Sequence, residues 1–145
     1  GLKCAIIISQ SAKMHEKLNE LPPAMHYRAS LLGAFATVAA FEKGELWLDT
    51  VLDQLDHNRK LIAQLIKEKI PAIGYTAPHC SYLAWLDVSQ LNLGDDPGAA
   101  IVERAKVAFN PGHIYGPLGK DYVRLNFATS PEIITEAFDR MARAL

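Results

Sequence analysis

Tyr122-Val123-Arg124-Leu125-Asn126-Phe127-Ala128, followed by Thr129-Ser130-Pro131-Glu132, is the stretch on which the reading of this chain turns. Its first seven residues alternate in character. Val123, Leu125 and Phe127 fall on one face, Tyr122, Arg124, Asn126 and Ala128 on the other, the period of a strand with one side in a core. Ser130-Pro131-Glu132 is a helix start, a capping hydroxyl followed by proline at the first helical position. Beyond it Ile133, Ile134, Ala137, Phe138, Met141 and Leu145 recur at helical spacing and are expected to face inward. An arginine inside so short an apolar strand must aim its guanidinium at an acceptor, because an unpaired buried charge is prohibitively costly. The planar fork suits bidentate capture of a carboxylate. On the residues alone, that carboxylate belongs either to an Asp or Glu of the chain, as a structural ion pair, or to a ligand.

Working upstream, Asn110 to Asp121 reads as a loop, punctuated by Gly112, Gly116, Gly119 and two prolines. Val107-Ala108-Phe109 is expected as a short strand, and Asp95-Asp96-Pro97-Gly98 caps a helix reaching about Lys106. Ile73 to Thr76 and Tyr82 to Val88 read as strands. Residues 45–69 form a long amphipathic helix with Leu48, Val51, Leu52, Leu55, Ile62, Leu65 and Ile66 on one stripe. His57 and Arg59 lie on its solvated face. At 1.5 Å per residue this helix is roughly 37 Å long, enough to join two lobes. Ser30 to Phe41 is apolar nearly all round and rich in small residues, the pattern of a buried helix. Ser11 caps a short helix to about Leu18, ended by Pro22-Pro23. The opening Gly1-Leu2-Lys3-Cys4-Ala5-Ile6-Ile7-Ile8 is a continuous β-branched run that suits a strand buried on both faces. As an opening segment it looks like a chain cut mid-domain. The expected class is α/β, its final part an α+β domain over residues 71–145 preceded by a connecting helix over 45–70.

The composition sets outer bounds. The chain has 145 residues, 50% hydrophobic and 21% charged, with a net charge of −1, too apolar and too nearly neutral for a disordered chain. No basic field points to nucleic acid. No apolar run approaches the ~20 residues of a membrane helix. Two cysteines, Cys4 and Cys80, are too few for a disulfide scaffold and fit a reducing cytosol. Familiar motifs fail. The phosphate-loop pattern is broken at Gly112 to Lys120, since Ile114 stands where its first glycine belongs and Asp121 follows the lysine. There is no GxSxG elbow. Among His15, His26, His57, His79 and His113 there is no HExxH, and a metal at His79 and Cys80 would need ligands from elsewhere, so no metal site is expected.

One resemblance adds to this reading. Asn110-Pro111-Gly112, then Gly116 and Gly119, then Val123-Arg124-Leu125-Asn126-Phe127-Ala128-Thr129-Ser130, resembles the closing signature of class I/II aminotransferases, fold type I enzymes dependent on pyridoxal 5'-phosphate. Ser81-Tyr82-Leu83-Ala84-Trp85-Leu86-Asp87 and Glu45-Leu46-Trp47-Leu48-Asp49 resemble the cystathionine β-lyase-like branch, which cleaves carbon–sulfur bonds. The resemblance implies that Arg124 grips the α-carboxylate of an amino-acid substrate such as cystathionine or a cysteine S-conjugate. Gly1-Leu2-Lys3 resembles the end of a family stretch that contacts the cofactor phosphate, which makes Lys3 a phosphate contact; a solvated lysine is the alternative. The Schiff-base lysine would then precede Gly1, so the chain is expected to be the inactive C-terminal portion of a larger enzyme. Residues 1–44 would be a remnant of the large cofactor-binding domain and 71–145 the small domain. The family further implies a homodimer, and both β-elimination and transamination stay open. The competing expectation is a stand-alone, non-catalytic module that binds a carboxylate or dimerises. The portion reading expects exposed apolar surface around residues 1–10 and 30–41.

Overall fold

A computed structural model describes residues 2–25 and 27–145; Gly1 of the opening run and His26 lie outside the described residues. The chain divides into two compact units, Gly1–Thr50 and Val51–Leu145, with the division falling inside the long helix.

In the first unit the helices start where capping chemistry places them. Ser11 accepts a hydrogen bond from the Met14 amide to begin α1, Ala12–Asn19. Ser30 accepts one from the Gly33 amide to begin α2, Leu31–Lys43. The Ser30 amide donates to the Lys3 carbonyl at 2.8 Å, which ties the opening segment to the start of α2. Two expectations fail. Residues 2–10 form no strand, and Ile8 is 84% exposed. The run has the side chains of a buried strand, but no neighbouring strand in the described chain offers it a ladder. Nor is α2 a buried helix: Gly33 alone among its residues is buried, while Leu31, Leu32, Phe35 and Phe41 stand in solvent. The apolar surface expected around 1–10 and 30–41 is therefore present.

Helix α3 spans Glu45–Lys69, as its periodicity predicts. Only its later part is buried, through Asn58, Ile62, Leu65 and Ile66, while Leu48 and Leu52 stay exposed. The second unit is then built on a four-stranded antiparallel sheet in the order β1-β2-β4-β3. The strands are β1, Gly74–Tyr75; β2, Leu83–Asp87; β3, Asn110–Pro111; and β4, Tyr122–Asn126. One sheet face, with Ala84, Leu86, Val123 and Leu125, shares a single core with Ile62, Leu65 and Ile66 of α3. Ile101 of α4 (Pro97–Ala105) and Ile134, Phe138 and Met141 of α5 (Pro131–Ala144) complete it. Asp96 and Ser130 cap these two helices, each with proline in the first turn.

Val107–Phe109 is not a strand. Lys106 ends α4 in the left-handed conformation (φ 58°), and pairing with β4 begins only at Asn110, opposite Arg124. Val107 and Phe109 pack on the core and diverge from the β4 edge. On α5, Ile134, Phe138 and Met141 hold the inward stripe, whereas Ile133, one step round the helix, is 61% exposed, and Leu145 is also exposed. No helix among the described residues is long and apolar enough to cross a membrane.

Asn58 joins α3 to the exit of β4. Its fully buried amide donates to the carbonyls of Phe127 (2.9 Å) and Thr129 (2.8 Å) and accepts from Gln54. These carbonyls follow the last strand and precede α5, so no ladder satisfies them. Asn58→Ala leaves both without that donor and should cost about 1–3 kcal/mol, read as a lower urea midpoint with unchanged slope. An unaltered midpoint would show that the carbonyls find other partners.

Candidate functional site

The solvent-side face of the sheet carries an unusual set of side chains. The β2–β4 register sets Trp85 opposite Arg124, with Tyr122 opposite Asp87 and Asn126 opposite Leu83. Trp85 and Tyr122 stack with centroids 5.4 Å apart and planes 12° apart, a diagonal cross-strand pair. Tyr115 meets the Trp85 indole edge-on at 5.7 Å.

Tyr115 comes from the loop, and glycine chemistry brings it there. Residues Gly112–Tyr115 and Pro117–Gly119 form two short 3-10 turns pressed against the end of the strand. A Cβ on Gly112 would collide with the Gly119 carbonyl oxygen, and it would stand 2.6 Å from that of Tyr122. Gly116, at φ 126°, holds a backbone conformation that L side chains rarely adopt. The glycine spacing thus encodes a close backbone approach.

Arg124 lies at the centre. Its Nη2 donates to Asn110 Oδ1 at 3.0 Å, from the residue directly across the β3–β4 pair. Its guanidinium carbon sits 4.8 Å from the centroid of the Tyr115 ring. Nε is buried without a hydrogen-bond partner. Among the described residues no carboxylate pairs with Arg124. The residue also lines an open cleft of about 700 Å³ between β4, α5 and the segment that diverges before β3. Two acids share that cleft, Glu132 and Glu136, and neither pairs with Arg124. Glu136 pairs with Arg140 at 2.7 Å. The Ser130 hydroxyl, followed by a backbone amide, holds the Glu132 carboxyl below its usual range. A cation positioned by neutral groups, with its charge uncancelled, is suited to receiving an anion.

The remaining sequence candidates are not among the residues of this cluster, and some have structural work. Lys3 is exposed and belongs to the first unit, whereas Arg124 belongs to the second. His57 is exposed, as its place on the polar stripe implies. Arg59 is not merely solvated: it is half-buried and donates to the Pro78 carbonyl at 2.9 Å while pairing with Asp56. Lys60, then Arg59, lower the Asp56 carboxyl. Cys4 and Cys80 are free thiols. Among the described residues no group of three or more His, Cys, Asp and Glu converges to hold a metal. Sequence reasoning isolated Arg124 but missed its setting of Asn110, Tyr115 and Trp85. The alternation within each strand was available as a signal, but the pairing between strands was not.

Relatives were found in two comparisons. A Mycobacterium tuberculosis protein assigned as a cystathionine β-lyase is 38% identical over an alignment of 162 positions, covering 100% of this chain and 40% of that protein. The cystathionine β-lyase of Corynebacterium glutamicum is 32% identical over 145 residues, covering 100% of this chain and 39% of the enzyme. A Corynebacterium diphtheriae crystal structure, assigned as a pyridoxal-phosphate-dependent β-cystathionase, superposes with a TM-score of 0.89 at 38% identity, covering 99% of this chain and 38% of that one. The α/β class expected from the sequence is the class found. This chain spans about 40% of the length of the curated relatives it matches. No family model matches it.

Two outcomes test the geometry. Gly112→Ala should displace the loop and reduce the near-ultraviolet circular dichroism of the Trp85–Tyr122–Tyr115 cluster, at a stability cost of about 1–3 kcal/mol. A retained signal would show that the loop accommodates a Cβ. Asp87 supplies the second. Hydrogen bonds from the Ser89 hydroxyl and amide, and a lesser one from Tyr122, hold its carboxyl below the ordinary value. A depressed carboxyl stabilises the fold above its unfolded value of about 3.9 and loses that contribution as pH falls through the folded value. Asp87→Asn should therefore flatten the acid limb of the stability profile; an unchanged limb would assign that limb to other acids.

Proposed function

We propose, the homologues of this chain being pyridoxal-phosphate-dependent cystathionine β-lyases and aminotransferases, that it carries the substrate-carboxylate clamp of such an enzyme, with Arg124 as the clamp. One observation carries the reading. Arg124 is a half-buried cation held by one neutral acceptor and one aromatic ring, with no carboxylate of its own chain among the described residues. The α-carboxylate of an amino acid is the charge that such a group lacks, and charge-assisted hydrogen bonds to it fix both position and orientation.

When bound, pyridoxal phosphate takes up the electron pair left on the substrate α-carbon as a bond to it breaks. Arg124 contributes orientation. Holding the carboxylate sets where the α-carbon and its substituents lie, whichever bond breaks next. Lys3 offers its exposed ammonium to the cofactor phosphate. With no second donor assigned beside it, Lys3 supplies a point charge and not a cradle. The substrate class is S-substituted cysteines such as cystathionine, with β-elimination and hydrolysis by one water releasing pyruvate, ammonia and a thiol; transamination is the alternative outcome from the same clamp. Free Cys4 and Cys80 suit a reducing cytoplasm. The apolar residues left in solvent on α2 suit burial against a second subunit, a homodimer. Residues 1–44 are read as part of a large cofactor-binding domain, 45–70 as the connecting helix, and 71–145 as the C-terminal small domain.

The second unit has its own core, which favours one other reading, a stand-alone carboxylate-binding or dimerisation module. Kinetics of the enzyme that carries this chain separate the two. Arg124→Ala should lower kcat/KM for amino-acid substrates by the equivalent of about 2–5 kcal/mol. Unchanged kinetics would return Arg124 to a structural role. Pyruvate formed from cystathionine without added keto acid identifies the lyase reaction, and its absence would leave transamination. Lack of either activity in the complete, cofactor-loaded protein would favour the module.

A further inference from the structure

We infer that Tyr115 is a positioning residue for Arg124, its ring holding the guanidinium in place by a cation–π contact without cancelling its charge. The inference rests on the reading of Arg124 as a carboxylate clamp.

Arginine brings a long, flexible stem to an open sheet face, and a clamp works only if that stem is already ordered when substrate arrives. Proteins often order an arginine with an acidic neighbour, but such a pair neutralises the charge that the ligand needs. Arg124 is ordered by two neutral groups instead, Asn110 Oδ1 at 3.0 Å and the Tyr115 ring at 4.8 Å. The second distance lies inside the ~6 Å range of cation–π attraction. The ring is itself held. Its edge-on contact with Trp85 fixes one side, Trp85 is stacked on Tyr122, and the Gly116 amide closes the turn by donating to the His113 carbonyl at 3.1 Å. Tyr115 is also 49% exposed and contributes nothing to the core, so what its ring does locally is order Arg124 and not support the fold.

Tyr115→Leu keeps an apolar side chain and removes the π face; Tyr115→Phe keeps the ring and removes the hydroxyl. In the 145-residue chain, nitrogen relaxation of the Arg124 Nε–Hε group should report a rigid side chain, loosened in Tyr115→Leu and rigid again in Tyr115→Phe. In the enzyme that carries the chain, Tyr115→Leu should raise KM for amino-acid substrates about three- to tenfold, with kcat altered less. The ring-keeping variant should rescue it. Equal rigidity of Arg124 in all three chains would overturn the inference, as would a Tyr115→Phe variant as impaired as Tyr115→Leu. Arg124→Ala serves as the control. If it weakens substrate binding while Tyr115→Leu does not, the positioning role alone fails. If Arg124→Ala leaves binding unchanged, the clamp fails and the positioning role with it.

Discussion

A guanidinium half withdrawn from water, with no anion to pair with among the described residues, is an expensive feature, and much of the second unit is arranged around tolerating it. β3 exists only as the two residues that put Asn110 across from Arg124. The loop after it is compressed by Gly112 and Gly119 until Tyr115 comes within reach of the guanidinium. β2 sets Trp85 on the same face, where its ring fixes Tyr115 and Tyr122. Of the two acids that line the cleft, Glu136 pairs with Arg140, and neither it nor Glu132 pairs with Arg124. The opposite face of the same sheet is ordinary core, and it supplies the stability on which the polar face depends.

The local signals were the readable ones. Ser11, Ser30, Asp96 and Ser130 announce their helices because capping is a matter of a few adjacent residues, and all four accept the expected amide hydrogen bond. The alternation of Val123, Leu125 and Phe127 likewise follows from the pleat alone. Non-local pairings were hidden. Val107–Phe109 has the composition of a strand, yet the ladder starts at Asn110, because a left-handed Lys106 and the demands of the core decide where the chain meets β4. The same limit applies at the site. Arg124 stands out in the sequence as a charge in an apolar strand, whereas Asn110, Tyr115 and Trp85 become its neighbours only through register and loop closure.

The first unit shows a different kind of mismatch. Residues 5–8 and α2 have the composition of buried elements and stand largely exposed, with Phe41 83% accessible. Periodicity and composition report the environment for which a segment is suited, and surface of that kind calls for a covering partner.

The claim that organises the account is that Arg124 receives the α-carboxylate of an amino acid. A crystal structure of the protein with an unreactive amino-acid analogue bound addresses it directly. The account predicts both carboxylate oxygens at hydrogen-bond distance from the Arg124 guanidinium, about 2.7–2.9 Å, with Asn110 and Tyr115 still in contact with it. A bound analogue whose carboxylate is held elsewhere, with Arg124 paired to an acid of the protein, would contradict it.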